Sequence, residues 1–151
     1  LTADELDACY QKILAEAPGA DGIVYFRAEA EKLTIHTGYV RTPRDRSITI
    51  WQFARFADSW LLSDSRPWDW SRAPLHSAVT GISMPEVHQM WTRAKSSAPG
   101  GLLMLSVKGG QVELSTGAGI GSGSAAGGSF VFEKDGLDGM WEHVQGSVWI
   151  E

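Results

Sequence analysis

Three arginines crowded into Arg41-x-x-Arg44-x-Arg46, and two tryptophans flanking an acid in Trp68-Asp69-Trp70, are the groupings in this chain best suited to recognition chemistry. Guanidinium forks hold carboxylates and phosphates through two parallel hydrogen bonds, so a turn carrying three of them fits an anionic ligand or an acidic patch on a partner. The plainer use of the same residues is a charged hairpin turn neutralised by Asp45. Tryptophan and arginine are also the side chains that dominate binding hot spots. Asp64-Ser65-Arg66-Pro67 precedes the tryptophan pair and adds an acid beside it. Arg41, Arg44, Arg46, Asp64, Trp68, Asp69 and Trp70 are therefore the expected partner-binding residues, with Trp68 packed and Trp70 the exposed anchor.

Motifs for catalysis are sparse. Gly121-Ser-Gly123-Ser-Ala-Ala126 can be read as G-x-G-x-x-A. That motif works only between a strand and a helix whose N-terminus meets a pyrophosphate, and here Phe130-Val131-Phe132 reads as another strand. His36, His76, His88 and His143 form no H-x-x-x-H pair, and with the single Cys9 they supply no zinc-ligand set. Cys9 lies at helical spacing from Leu6 and Ile13, as a core thiol does. Asp64, Asp69 and Glu142 are acids without a deducible partner. A site gathered from His36, Asp45 and Ser47 would need the fold to bring them together. No cofactor, metal or catalytic residue is expected.

The elements that must position these side chains come in two similar sets. Residues 1–70 lie over 82–151 at a shift near 81, with 71–81 as the linker. Thr2-x-x-Glu5 and Ser83-x-x-Glu86 are capping boxes, each opening an amphipathic helix that ends at Ala-Pro-Gly. Ile23–Ala28 and Leu102–Val107 read as strands, each turning into an alternating strand through Leu33 and Ile35 or Val112 and Leu114. Tyr39–Arg46 and Ala118–Gly128 are the expected connections to third strands, Ser47–Trp51 and Ser129–Glu133. In this alignment Ser47–Ile50 matches Ser129–Phe132, Trp60 matches Trp141 and Trp68 matches Trp149. Short helices are expected next, over Gln52–Leu62 and Leu137–Val144, and then a strand over Ser147–Glu151. The expected fold is α+β: an α-β-β-β-α(-β) unit in tandem, its antiparallel sheets joined about a pseudo-twofold axis into one domain.

Composition bounds the function. Hydrophobic residues at 43% and charged residues at 21% describe a globular chain, and seven tryptophans in 151 residues call for large buried contacts or an aromatic binding surface. A net charge of −5 lacks the concentrated Lys/Arg face that phosphate backbones require. No apolar run approaches the roughly 18 residues of a membrane helix. These features lead to a non-catalytic binding protein: a cytoplasmic, bacterial-type cognate inhibitor (an immunity protein) that neutralises a toxin or effector, monomeric or weakly dimeric, with neither nucleic acid nor membrane as partner. A secretion-effector chaperone is a close alternative. A small enzyme or ligand-binding domain, with its pocket where the two repeats meet, is a second class. Carbohydrate binding through tryptophan faces is a third.

Overall fold

The computed structural model describes residues 1–71, 78–96, 100–117, 126–134 and 141–150. Helix α1 (Ala3–Glu16) and helix α2 (Met84–Lys95) open on the two expected capping boxes. Thr2 and Ser83 hydroxyls accept from the Glu5 and Glu86 amides, and each glutamate returns a bond to the N-cap amide. The helix N-termini are thus satisfied from within four residues, which is why they are legible locally. Among the described residues eight longer strands follow the helices, four behind each. They are β1 (Ile23–Ala28), β2 (Lys32–Thr42), β3 (Asp45–Phe56), β4 (Ser59–Pro67), β6 (Gly101–Lys108), β7 (Gln111–Gly117), β8 (Ala126–Lys134) and β9 (Trp141–Ile150). A short β5 (Val79–Thr80) precedes α2.

Among the described residues all strands join one antiparallel sheet in the order β4-β3-β2-β1-β6-β7-β8-β9, with β5 on β2 beyond the end of β1. The first four strands meet the last four through β1 and β6, where Phe26 faces Leu105, Tyr25 faces Ser106 and Arg27 faces Met104. Both helices cover the same face. Period-two alternation puts Phe26, Leu33, Ile35, Phe53, Leu105, Leu114 and Phe132 on it, all fully buried, with Leu6, Ile13, Val87 and Met90 descending from the helices. Each such side chain contributes about 1.5–3 kcal/mol by leaving water.

The expected helices over Gln52–Leu62 and Leu137–Val144 are corrected. Gln52–Phe56 continue β3, Ser59–Leu62 begin β4, and Trp141–Val144 begin β9; residues 137–140 lie outside the described set. Each half is therefore a helix followed by four strands. The apolar spacing Phe53, Phe56, Trp60 and Leu61 fits a helix as well as it fits a hairpin. The hairpin prevails because Phe53 pairs into the ladder and Ala57, at φ 56°, turns the chain between β3 and β4. Phe56 and Leu61 consequently stand 72% and 51% exposed instead of inward.

Two further expectations change. The connection Tyr39–Arg46 shrinks to a turn at Pro43-Arg44, since Tyr39–Thr42 extend β2 and Asp45-Arg46 open β3. The match of Ser47–Ile50 with Ser129–Phe132 also fails. Ile35 pairs with Trp51 and Leu114 with Phe130, so Trp51 takes the place of Phe130, three residues from the expected register. An odd slip reverses faces: Ile48 lies on the helix-free side and Phe130 beneath the helices. Of the linker, Val79 and Thr80 belong to the sheet and 72–77 are outside the described residues, as are 118–125 of the Gly/Ser connection.

One bond occurs in both halves. Trp60 Nε1 donates to Glu5 Oε2 at 3.1 Å, and Trp141 Nε1 donates to Glu86 Oε2 at 2.5 Å. The other oxygen of each carboxylate accepts the N-cap amide, so one side chain closes the helix end and holds the outer hairpin. Lys12 adds a bond to the Trp60 carbonyl, and Arg93 bonds the Trp141 carbonyl at 3.2 Å.

Candidate functional site

The face away from the helices is best read in rows across the strands. Register places Arg66, Ile50, His36, Tyr25, Ser106 and Glu113 in one row over β4-β3-β2-β1-β6-β7. The next row holds Asp64, Gln52, Thr34, Arg27, Met104 and Ser115. On the other side, Gly38 stands opposite Ile48. Gly38 has φ +139°, and a Cβ there would lie 1.9 Å from the Ser47 carbonyl oxygen, so this position tolerates only glycine.

After Pro67 the chain leaves the edge strand, and the Trp68 amide bonds the Ile48 carbonyl at 2.9 Å, which sets the Trp68 ring over these rows. A cleft of about 450 Å³ results, bounded by Tyr25, His36, Trp68, Ile48 and Val79, with Arg27, Thr34 and Ser106 at its polar margin. It crosses the junction of β1 and β6. Rings run along it in succession. Tyr25 and His36 lie 4.8 Å apart, His36 and Trp68 5.5 Å, and Trp68 and Trp70 6.4 Å with edge-to-face geometry for the last two pairs. The Arg46 guanidinium sits 4.0 Å above the Trp70 ring and ends the series.

Burial pushes the His36 imidazole down to about 4, and the positive charge of Arg66 acts in the same direction. At neutral pH this ring is an uncharged wall of the cleft and a weak base. Ser106 lies two strands from it, a separation of roughly 10 Å at the usual strand spacing, beyond hydrogen-bond reach. The arrangement is fitted to hold an apolar or aromatic group and does not place a base against a nucleophile.

The residues expected to bind a partner are only partly brought together. Trp68, Trp70 and Arg46 form one cluster. Trp70 is half-buried, packed on the core and capped by Arg46, and is not the exposed anchor expected from its place beside the linker. Arg41 stacks on Tyr39 at 4.3 Å and pairs with Asp45 at 3.4 Å. Ladder alternation puts it on the opposite face from Arg46, which pairs with Val40. Arg44 occupies the turn tip, so the three cations do not form one patch. Asp64 pairs with Arg66 at 3.5 Å on the edge strand. Asp69 accepts from the Ser71 amide at 3.0 Å and hydroxyl at 2.6 Å, bonds that hold its carboxyl below the usual range.

His36 and Ser47 fall on opposite faces, and Asp45 lies at the hairpin end, so these three make no joint site. Among the described residues no group of three or more His, Cys, Asp or Glu side chains is placed to hold a metal ion. Burial pushes the Cys9 thiol up to about 12, as befits a core residue. Sequence reasoning missed Tyr25, Arg27, Thr34 and Ser106. The signal for the first three was their alternation with Phe26 and Ile35, which marks the uncovered side of a half-buried strand pair. Among the described residues no helix is long and apolar enough to cross a membrane. Compared with family models, curated proteins and solved structures, the chain matches none, and nothing is carried over by likeness.

Proposed function

We propose that this chain is a non-catalytic binding protein that engages another protein through the helix-free face of its sheet, at the edge where the aromatic series emerges. One observation carries the reading: Tyr25, His36, Trp68 and Trp70 form an unbroken run of rings closed by Arg46. Rigid aromatics and a guanidinium are the side chains that supply most binding energy at little cost in conformational freedom. The net charge of −5 steers a basic partner toward the surface. The partner class is a toxin or secreted effector, with the chain as its cognate inhibitor; a chaperone for such an effector is the nearest alternative. In calorimetric titration against a co-purified partner, Trp70→Ala should weaken binding by about thirtyfold, the scale of a 2 kcal/mol hot spot. Affinity unchanged in Trp70→Ala and in Arg46→Gln would remove this surface from the function.

A second reading, a small-ligand domain, draws support from the position of the cleft across β1 and β6. We further propose that the two halves are copies of one ancestral unit related by a pseudo-twofold axis at the Phe26–Leu105 pair. The equal runs of one helix and four strands, the reciprocal register about that pair and the repeated Glu–Trp bond support it. Residues 1–71 expressed alone should then self-associate through β1; a stably folded monomer by sedimentation would count against the idea.

A further inference from the structure

We propose that the cleft across β1 and β6 is a binding site for an aryl carboxylate, a flat aromatic body bearing a single anionic head, with Arg27 as the anion-binding residue. Volume, wall and charge all point to this class. At about 450 Å³ the cleft is of the size that takes small organic ligands. Tyr25, His36 and Trp68 supply ring faces and edges, while Val24, Ile48 and Val79 close the same end with aliphatic carbon. Among its described lining residues Arg27 is the one formal charge at neutral pH and none is acidic, in a chain of net charge −5.

Geometry also orients the ligand. Arg27 and Thr34 are cross-strand partners one step along β1 and β2 from Tyr25 and His36, at the opposite end from Ile48 and Val79. An aromatic body seated between the rings and the valines therefore directs its head toward the Arg27 guanidinium and the Thr34 hydroxyl. Arg27 is half-exposed and paired with Glu29 at 3.5 Å, a loose surface contact that a bidentate ligand displaces at little cost. Arg66, at the far end of the His36 row, adds positive potential on this side, offset in part by its pair Asp64. Glu113 lies beyond Ser106 on the other side, where it accepts from Ser129 at 3.4 Å, and so keeps an anion toward β1 and β2. The same chemistry is offered by a free aryl carboxylate and by the C-terminal carboxylate of a chain ending in an aromatic residue.

The test is calorimetric titration of the intact protein with 1-naphthaleneacetate and with its uncharged analogue 1-naphthaleneacetamide. The acid should bind about tenfold or more tighter than the amide. Arg27→Gln should abolish that preference while leaving the amide affinity and the thermal melt unchanged. Ser106→Phe, which fills the cleft from β6, should remove both ligands with the circular dichroism spectrum retained. Equal affinity for acid and amide, no binding of either, or a preference that survives Arg27→Gln would each overturn the assignment. A pentapeptide ending in free Trp, compared with its amidated form, distinguishes the sources: preference for the free peptide over 1-naphthaleneacetate marks a protein terminus, and the reverse marks a small molecule. Because Trp70→Ala reports on the protein-binding surface and Arg27→Gln on this cleft, the two proposals fail separately.

Discussion

Thr116→Val should stabilise the protein, although it removes a polar group from a strand. The Thr116 side chain is fully buried, and its Oγ1 has no hydrogen-bond partner among the described residues. Its positional counterpart Thr37 is 4% exposed and accepts from Trp51 Nε1 at 2.9 Å. The difference lies in the facing strand, where Trp51 occupies the position that Phe130 takes on β8, and a phenyl ring has no donor. A buried, unsatisfied hydroxyl costs about 1–3 kcal/mol. Valine has nearly the same shape and strand preference, so replacing the hydroxyl with a methyl should recover about 1 kcal/mol, the lower end of that range. For a chain of this size that is a rise of about 2–4 °C in melting temperature. Thr37→Val, the same chemical change, should instead destabilise by about 1–3 kcal/mol because it strands the Trp51 indole N–H. Urea unfolding followed by circular dichroism, with equal m-values for all three proteins, would measure both. If the two substitutions shift stability in the same direction, the account of the orphaned hydroxyl is wrong.

Two other outcomes follow from the ionisable groups. Burial alone would raise Glu5 and Glu86, but the Trp60 and Trp141 indoles and the capping bonds outweigh it and hold both below the ordinary 4.5. Their stabilisation is complete above that value and is lost as pH falls through the lower folded values, so Glu5→Gln and Glu86→Gln should flatten the acid limb of the stability curve below pH 4.5; acid limbs parallel to the parent's would refute it. Cys9, 1% exposed and with its thiol pushed up to about 12, should stay silent toward Ellman's reagent in the native protein and react fully in urea. Rapid native modification would contradict the burial.

Helices, caps and the first two strands of each half were legible because their determinants are local. A threonine or serine with a glutamate three residues on, and alternation over Leu33 to Thr37, can be recognised without knowing what packs against them. The outer hairpins were not legible. Phe53, Phe56, Trp60 and Leu61 satisfy a helical period, and Ala57 turns the chain at positive φ without the glycine or asparagine that normally announces such a turn. The third-strand register escaped for a related reason, since Ile48 and Phe130 are both apolar and only the sheet reveals their opposite faces. Of the candidate site, the Trp68, Trp70 and Arg46 cluster lay within the residues singled out. The rest of the cleft beyond Trp68 and His36 did not, because it depends on β1 meeting β6, a pairing of residues 25–27 with 104–106 that no local pattern announces.

The carboxylate that both closes a helix and grips a distant indole also imposes an order of assembly. Glu5 and Glu86 each wait for a tryptophan 55 residues downstream. As the polypeptide leaves the ribosome, Glu5 therefore lacks its indole until Trp60 emerges, and Glu86, which Lys134 approaches to 3.7 Å, lacks its own until Trp141. In each half that bond ties the first element to the final hairpin, so it closes only after the hairpin's tryptophan has been made.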